Sequence, residues 1–229
     1  MKDYINTIFT IRELKEQANA ESLRKYDKMI QALSILEEEV ETIITNGRVN
    51  HYWFQAIIGI LSNGELTRGG QGNSQPDLFW GSKRLELKGF TTAEMDKLAP
   101  IRTGASKFFA GNSGITALKE SDKKLETLKQ IVFDSSYHDD YYMLTETCGL
   151  DSLSKLEDVR IIFVETSVLV DNLITSCGPH TGSKSNTAPT YHHSWADTSG
   201  KKRKKKINWP YLEVDTARLC KVLEVLNDK

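Results

Sequence analysis

The stretch Gln75-Pro76-Asp77-Leu78-Phe79-Trp80-Gly81-Ser82-Lys83-Arg84-Leu85-Glu86-Leu87-Lys88 alternates apolar and polar residues on both sides of Gly81-Ser82. Period-two alternation interrupted by two residues, the first a glycine, predicts two antiparallel strands joined by a type II′ turn. The register follows: Trp80 opposite Lys83, Phe79 opposite Arg84, Leu78 opposite Leu85, and Asp77 opposite Glu86. Leu78, Trp80, Leu85 and Leu87 then share a core face. Asp77, Glu86 and Lys88 share the other face, with the Asp77 and Glu86 Cβ atoms about 5 Å apart.

Two carboxylates placed directly across a hairpin repel one another, so such a pair calls for a compensating charge. A divalent cation supplies it, and Mg²⁺ takes carboxylate oxygens while leaving its other positions to water and a substrate phosphate. Lys88, on the same face, has the charge to position or deprotonate a water or to neutralise charge developing on phosphorus. The constellation predicts a phosphodiester hydrolysis site. The competing reading is a surface hairpin whose charges only neutralise each other.

Pro76-Asp77 followed by Glu86-Leu87-Lys88 resembles the PD-(D/E)xK signature of a nuclease superfamily that includes most type II restriction endonucleases. The resemblance implies that Asp77 and Glu86 hold Mg²⁺ and that Lys88 assists the attacking water, leaving a 5′-phosphate and a 3′-hydroxyl. It covers residues 50–165 as architecture and only Pro76, Asp77, Glu86 and Lys88 as motif. Nucleases of this kind often carry a Glu or Gln on the helix before the Asp strand. That points to Gln55, with Glu65 and Glu39 as rival positions.

The 229 residues suffice for one α/β domain with a sizeable core. The expected class is α/β (α+β): a restriction-endonuclease-like mixed central sheet flanked by helices, with a long basic loop. The formal net charge of −1 hides a segregation. Between Gly178 and Lys206, Lys184, Lys201, Lys202, Arg203, Lys204, Lys205 and Lys206 face a single acid, Asp197, so a segment of +6 sits on a body of −7. Cys148, Cys177 and Cys220 are odd in number and lack CxxC spacing, which suits a reducing cytoplasm. The first residues show no apolar h-region and no stretch approaches membrane length, so a soluble, unexported protein is expected.

In chain order, residues 1–62 read as N-terminal helices, 63–165 as a catalytic core, 176–210 as a basic DNA-contacting loop and 211–229 as a C-terminal helix, all within one domain. The helical spacing from about Asp3 to Asn46, with a break near Ala20, ends at Asn46-Gly47. An apolar helix over about 50–62 carries Gln55 as its polar exception. Strands are predicted at Glu65–Arg68, Tyr141–Thr145 and Val159–Glu165, with an amphipathic helix over about 116–133 between them. The glycines of the 69–74 connection permit close backbone approach. Past Lys88, the polar loop of residues 101–114 offers Arg102, Lys107 and Asn112 as DNA contacts.

Residues 176–210 have almost no aliphatic pattern, which predicts a long functional or disordered loop. Lys184 and the run Lys201, Lys202, Arg203, Lys204 lie near Trp195, a combination suited to phosphate neutralisation and stacking on nucleic acid. A localisation signal, a solvated tail, or zinc bound by Cys177, His180, His192 and His193 are the alternatives. The functional expectation is a Mg²⁺-dependent, site-specific type II restriction endodeoxyribonuclease acting on double-stranded DNA as a homodimer. A structure-selective or repair nuclease, or a DNA-binding protein without catalysis, stands as the alternative.

Overall fold

A computed structural model describes residues 1–40, 44–45, 48–49, 51–70, 75–104, 139–148, 152–176, 190–196, 202–208 and 211–227. After a short 3₁₀ turn at Lys2–Tyr4, the chain forms β1 (Thr7–Thr10), α1 (Ile11–Glu16) and α2 (Ala20–Val40). Two short strands, β2 (Ile44–Thr45) and β3 (Arg48–Val49), precede α3 (His51–Leu61) and β4 (Leu66–Arg68). The hairpin follows as β5 (Leu78–Trp80) and β6 (Lys83–Thr91), then α4 (Thr92–Asp96) and β7 (Ile101–Gly104). The second half holds β8 (Tyr141–Cys148), β9 (Arg160–Glu165), α5 (Thr166–Asp171), β10 (Leu173–Ser176), β11 (Thr190–Ala196), β12 (Lys202–Asn208), β13 (Tyr211–Val214) and α6 (Thr216–Asn227).

The main sheet is mixed, with strand order β1-β9-β8-β6-β5-β4 and helices on both faces. Only β6 and β8 run parallel within that path. The hairpin register is as expected, Leu78↔Leu85, Phe79↔Arg84 and Trp80↔Lys83. Gly81 turns at φ +59° while no other turn residue goes left-handed, which matches a type II′ turn and excludes type I′.

Strand β9 is apolar on both sides because it lies between two layers. Ile161 and Phe163 join one cluster with Leu33, Phe54, Ile57, Ile58, Leu61, Leu78, Leu85 and Leu87. Ile162 and Val164 join the other with Tyr142, Leu144, Leu169, Val214, Leu219 and Leu223. Each such side chain removed from water contributes about 1.5–3 kcal/mol. The α3 helix is the apolar stripe that closes the first face over the hairpin, which is why it carries so few polar residues.

Several expectations are corrected. Residues 7–10 are the edge strand β1, paired antiparallel with β9 (Thr7↔Phe163, Thr10↔Arg160), and not helix. The β-branched alternation Thr7, Ile8, Thr10 outweighs the helix formers that follow, and Thr10 begins α1 through a reciprocal capping box with Glu13. The long helix ends at Val40, and Ile44 belongs to β2. Arg102 lies in β7, which pairs with β13 in a second sheet of order β10-β13-β7 instead of in a loop. Residues 211–214 are strand, so the C-terminal helix starts at Thr216.

The basic segment is also more regular than a loop, for β11 and β12 pair along their whole length. Its signal was the alternation of Tyr191, His193 and Trp195, masked by the lysine run on the second strand. The helix expected at 116–133 lies outside the described residues. Among the described residues, no helix is long and apolar enough to cross a membrane.

Candidate active site

The hairpin and the strand beside it place the chemistry. By register, Glu86 is level with Tyr142 and Lys88 with Leu144 across the β6/β8 pair. Both therefore lie on the face of the sheet that packs Tyr142 and Leu144, away from Leu85 and Leu87. The Lys88 ammonium contacts Glu86 Oε1, and the two side chains are only 12% and 19% exposed.

Asp77 departs from the expected geometry. The ladder ends at Leu78↔Leu85, so Asp77 stands just outside the strand instead of pairing with Glu86. Like charges across the next rung oppose its closure. The Asp77 carboxylate takes over the vacant backbone partner: Leu87 N–H donates to Oδ2 at 2.8 Å. Its other oxygen, Oδ1, accepts from Gln55 Nε2 at 2.9 Å. Gln55 is 5% exposed on α3, so a buried polar side chain in the apolar stretch of that helix reaches the acid that opens β5.

Of the rival positions, Glu65 instead accepts from the α-amino group of Met1 at 3.0 Å. The Glu39 side chain lies outside the described residues. Gly69 holds the entry to the hairpin from the far side, donating to Asp77 O at 2.9 Å, and a Cβ there would lie 1.8 Å from Pro76 O. The close backbone approach expected of these glycines is met at this position.

Asp139 is a site residue that the sequence alone does not single out. It precedes β8, is 4% exposed, and pairs with Arg84 Nε at 3.3 Å. Asp140 beside it receives Arg84 N–H at 2.8 Å and Lys83 Nζ at 3.2 Å, pinning the start of β8 to β6. The local sequence Asp139-Asp140 looks like a polar turn before a strand. Its place beside Arg84 depends on a parallel pairing across more than fifty residues.

The electrostatics reflect the crowding of acids. Burial pushes the Glu86 carboxyl up to about 7; Asp77 and Asp139 add to the rise and Lys88 opposes it. Burial likewise raises Asp139, against the pull of Arg84 and Lys88. The phenol of Tyr142 is held well above its ordinary value by burial and by the negative charge of Asp139 and Glu86.

Asp77, Glu86, Lys88 and Gln55 thus come together. Lys202, Arg203, Lys204 and Trp195 fall on the β11–β12 ribbon, which pairs with no other described strand. Lys107, Asn112, Lys184 and Lys201 lie outside the described residues, as do Cys177 and His180. Among the described residues, no group of three or more His, Cys, Asp or Glu side chains forms a ready metal cluster. A scan against protein-family models, a search of curated proteins and a search of solved structures each find no match to this chain.

The donor set can be judged on its own chemistry. Asp77 and Glu86 offer carboxylate oxygens, which suit a hard cation that keeps several waters, and among the described residues neither sulfur nor imidazole is brought to them. The residues therefore fit Mg²⁺. Asp77, already oriented by two donors, and Glu86 would hold it.

Proposed function

We propose that this protein is a Mg²⁺-dependent endodeoxyribonuclease that hydrolyses double-stranded DNA, of the PD-(D/E)xK type and most like a type II restriction endonuclease. The observation that carries the reading is the gathering of Asp77, Glu86 and Lys88 at one end of the β5–β6 hairpin, with buried Gln55 bonded to Asp77. The order α3, β4-β5-β6, β8, β9, with β6 parallel to β8, supports the restriction-endonuclease-like fold.

The bound Mg²⁺ would supply charge for the scissile phosphate and a water of lowered pKa. Gln55 Nε2 and Leu87 N–H fix the direction of the Asp77 carboxylate, so its oxygens need little reorganisation to act as ligands. Lys88, in contact with Glu86 Oε1, would present its positive charge to the phosphate oxygen on which negative charge develops. In-line attack by water at phosphorus breaks the bond to O3′, leaving a 3′-hydroxyl and a 5′-phosphate. Two sites are needed for duplex cleavage, which favours a homodimer on a two-fold DNA site.

One observation favours a second reading, a DNA-binding protein without catalysis. The Lys88–Glu86 contact already pairs one acid, and Gln55 and Leu87 N–H donate to the other, so both carboxylates have protein partners without metal. Incubation of the purified protein with large phage DNA in Mg²⁺, beside EDTA and Lys88→Ala controls, separates the two. Discrete fragments that vanish in both controls support the nuclease. Intact DNA together with binding that is indifferent to Mg²⁺ supports the second reading, and a smear without fixed fragments supports a structure-selective nuclease.

A further inference from the structure

The register of the basic ribbon divides its residues in a way that the sequence alone does not reveal. Trp195 pairs with Arg203, His193 with Lys205 and Tyr191 with Ile207, while Ala196, Ser194 and His192 pair with Lys202, Lys204 and Lys206. Register partners share a face and successive residues alternate. One face of the ribbon therefore carries Tyr191, His193, Trp195, Arg203, Lys205 and Ile207. The other carries three lysines among small or polar residues.

A two-stranded ribbon by itself is marginally stable in water and needs a cover for its apolar side. Among the described residues, β11 and β12 pair only with each other. Covering the aromatic face with an apolar surface would strip water from Arg203 and Lys205 at considerable cost. Duplex DNA removes that cost, since its phosphates and base-edge acceptors meet the cations while thymine methyl groups on the groove floor meet the aromatics. The strands of seven residues extend about 24 Å, and the major groove of duplex DNA admits a two-stranded ribbon.

We propose that the β11–β12 ribbon is the groove-reading element of this protein on duplex DNA. Its aromatic and basic face lies on the base edges, and its Lys202, Lys204 and Lys206 face neutralises flanking phosphates. The proposal rests on the reading of duplex DNA as substrate and adds the part of the chain that recognises it.

The test is anisotropy of a fluorescein-labelled duplex oligonucleotide in EDTA, titrated from about 50 to 200 mM salt. Replacing Lys202, Lys204 and Lys206 by alanine should flatten the log–log salt slope by about 2.7, at about 0.9 per phosphate contact. Trp195→Ala should weaken binding about tenfold and leave the slope unchanged. The decisive variant exchanges neighbours, Ser194→Trp with Trp195→Ser, keeping composition and charge while moving the ring to the lysine face. It should bind as weakly as Trp195→Ala.

Wild-type affinity in the exchange variant, an unchanged slope in the triple variant, or stronger competition by single-stranded RNA than by duplex DNA would each overturn the proposal. Phage DNA cleavage in Mg²⁺ is measured on the same preparations. Cleavage with a failed ribbon result removes the ribbon alone, and the expected ribbon result without cleavage removes the nuclease alone.

Discussion

Gly69→Ala tests how the Asp77 segment is held. Gly69 donates its N–H to Asp77 O at 2.9 Å, so the chain on either side of the 70–76 connection is locked together there. A Cβ on Gly69 would fall 1.8 Å from Pro76 O and 2.8 Å from Pro76 C, where real Cβ contacts stay beyond 3.0 Å. The obstacle is backbone, which cannot swing aside like a side chain, so the two strands must separate by at least about 1.2 Å. Overpacking of this kind costs about 2–3 kcal/mol, which for a chain of this length lowers Tm by about 5–10 °C. The same displacement would move Asp77, and on the proposed nuclease reading a 1 Å misplacement of that metal ligand would cost about 100-fold in rate.

Gly81→Ala is the control. Gly81 has φ +59° and a Cβ there would meet nothing within 4 Å, so only the left-handed backbone resists, at about 1–2 kcal/mol, and Asp77 stays in place. Differential scanning calorimetry and cleavage assays on the two variants decide the matter. A Gly69→Ala protein within about 0.5 kcal/mol of wild type, or one that cleaves as well as Gly81→Ala, would refute the claim that the Gly69–Pro76 contact positions the site.

Further outcomes follow from the same contacts. Gln55→Leu removes the donor to Asp77 Oδ1 and should weaken Mg²⁺ binding about tenfold by calorimetry; unchanged affinity would count against Asp77 as a ligand. Asp139→Asn removes a carboxylate charge whose burial outweighs its pairing with Arg84, so at neutral pH it should leave stability in urea unfolding unchanged or slightly raised, with Mg²⁺ affinity within about threefold. A total loss of Mg²⁺ binding in that variant would make Asp139 a ligand. Burial alone would raise Glu146, but two hydrogen bonds from Arg160, at 2.6 and 3.1 Å, help to hold its carboxyl below the ordinary 4.5. Its contribution is therefore complete above pH 4.5 and lost as pH falls through the depressed value, and Arg160→Gln should flatten that acid limb of the stability curve.

Much of the fold was legible wherever the physics is local. The Gly81-Ser82 turn and the alternation around it set the hairpin and its register, because turn chemistry and a two-residue period act over neighbouring residues. Helix α3, strand β9 and the break before α2 were readable for the same reason. Thr7–Thr10 was not, since an edge strand of four residues is decided by the partner it finds, here β9. The β11–β12 pairing was hidden because a lysine run carries little strand preference until Tyr191, His193 and Trp195 stand opposite it.

The residues of the proposed site can be read in the chain: Asp77, Glu86 and Lys88 are spaced so that a short hairpin must bring them near one another. It takes the packed molecule to make Asp77 leave the ladder and accept Leu87 N–H, to bring Gln55 rather than Glu65 to it, and to add Asp139 from the start of β8. Side-chain identity and short-range periodicity are properties of the chain. The partners of a buried charge are set by which distant strands and helices pack against it, and that is a property of the fold alone.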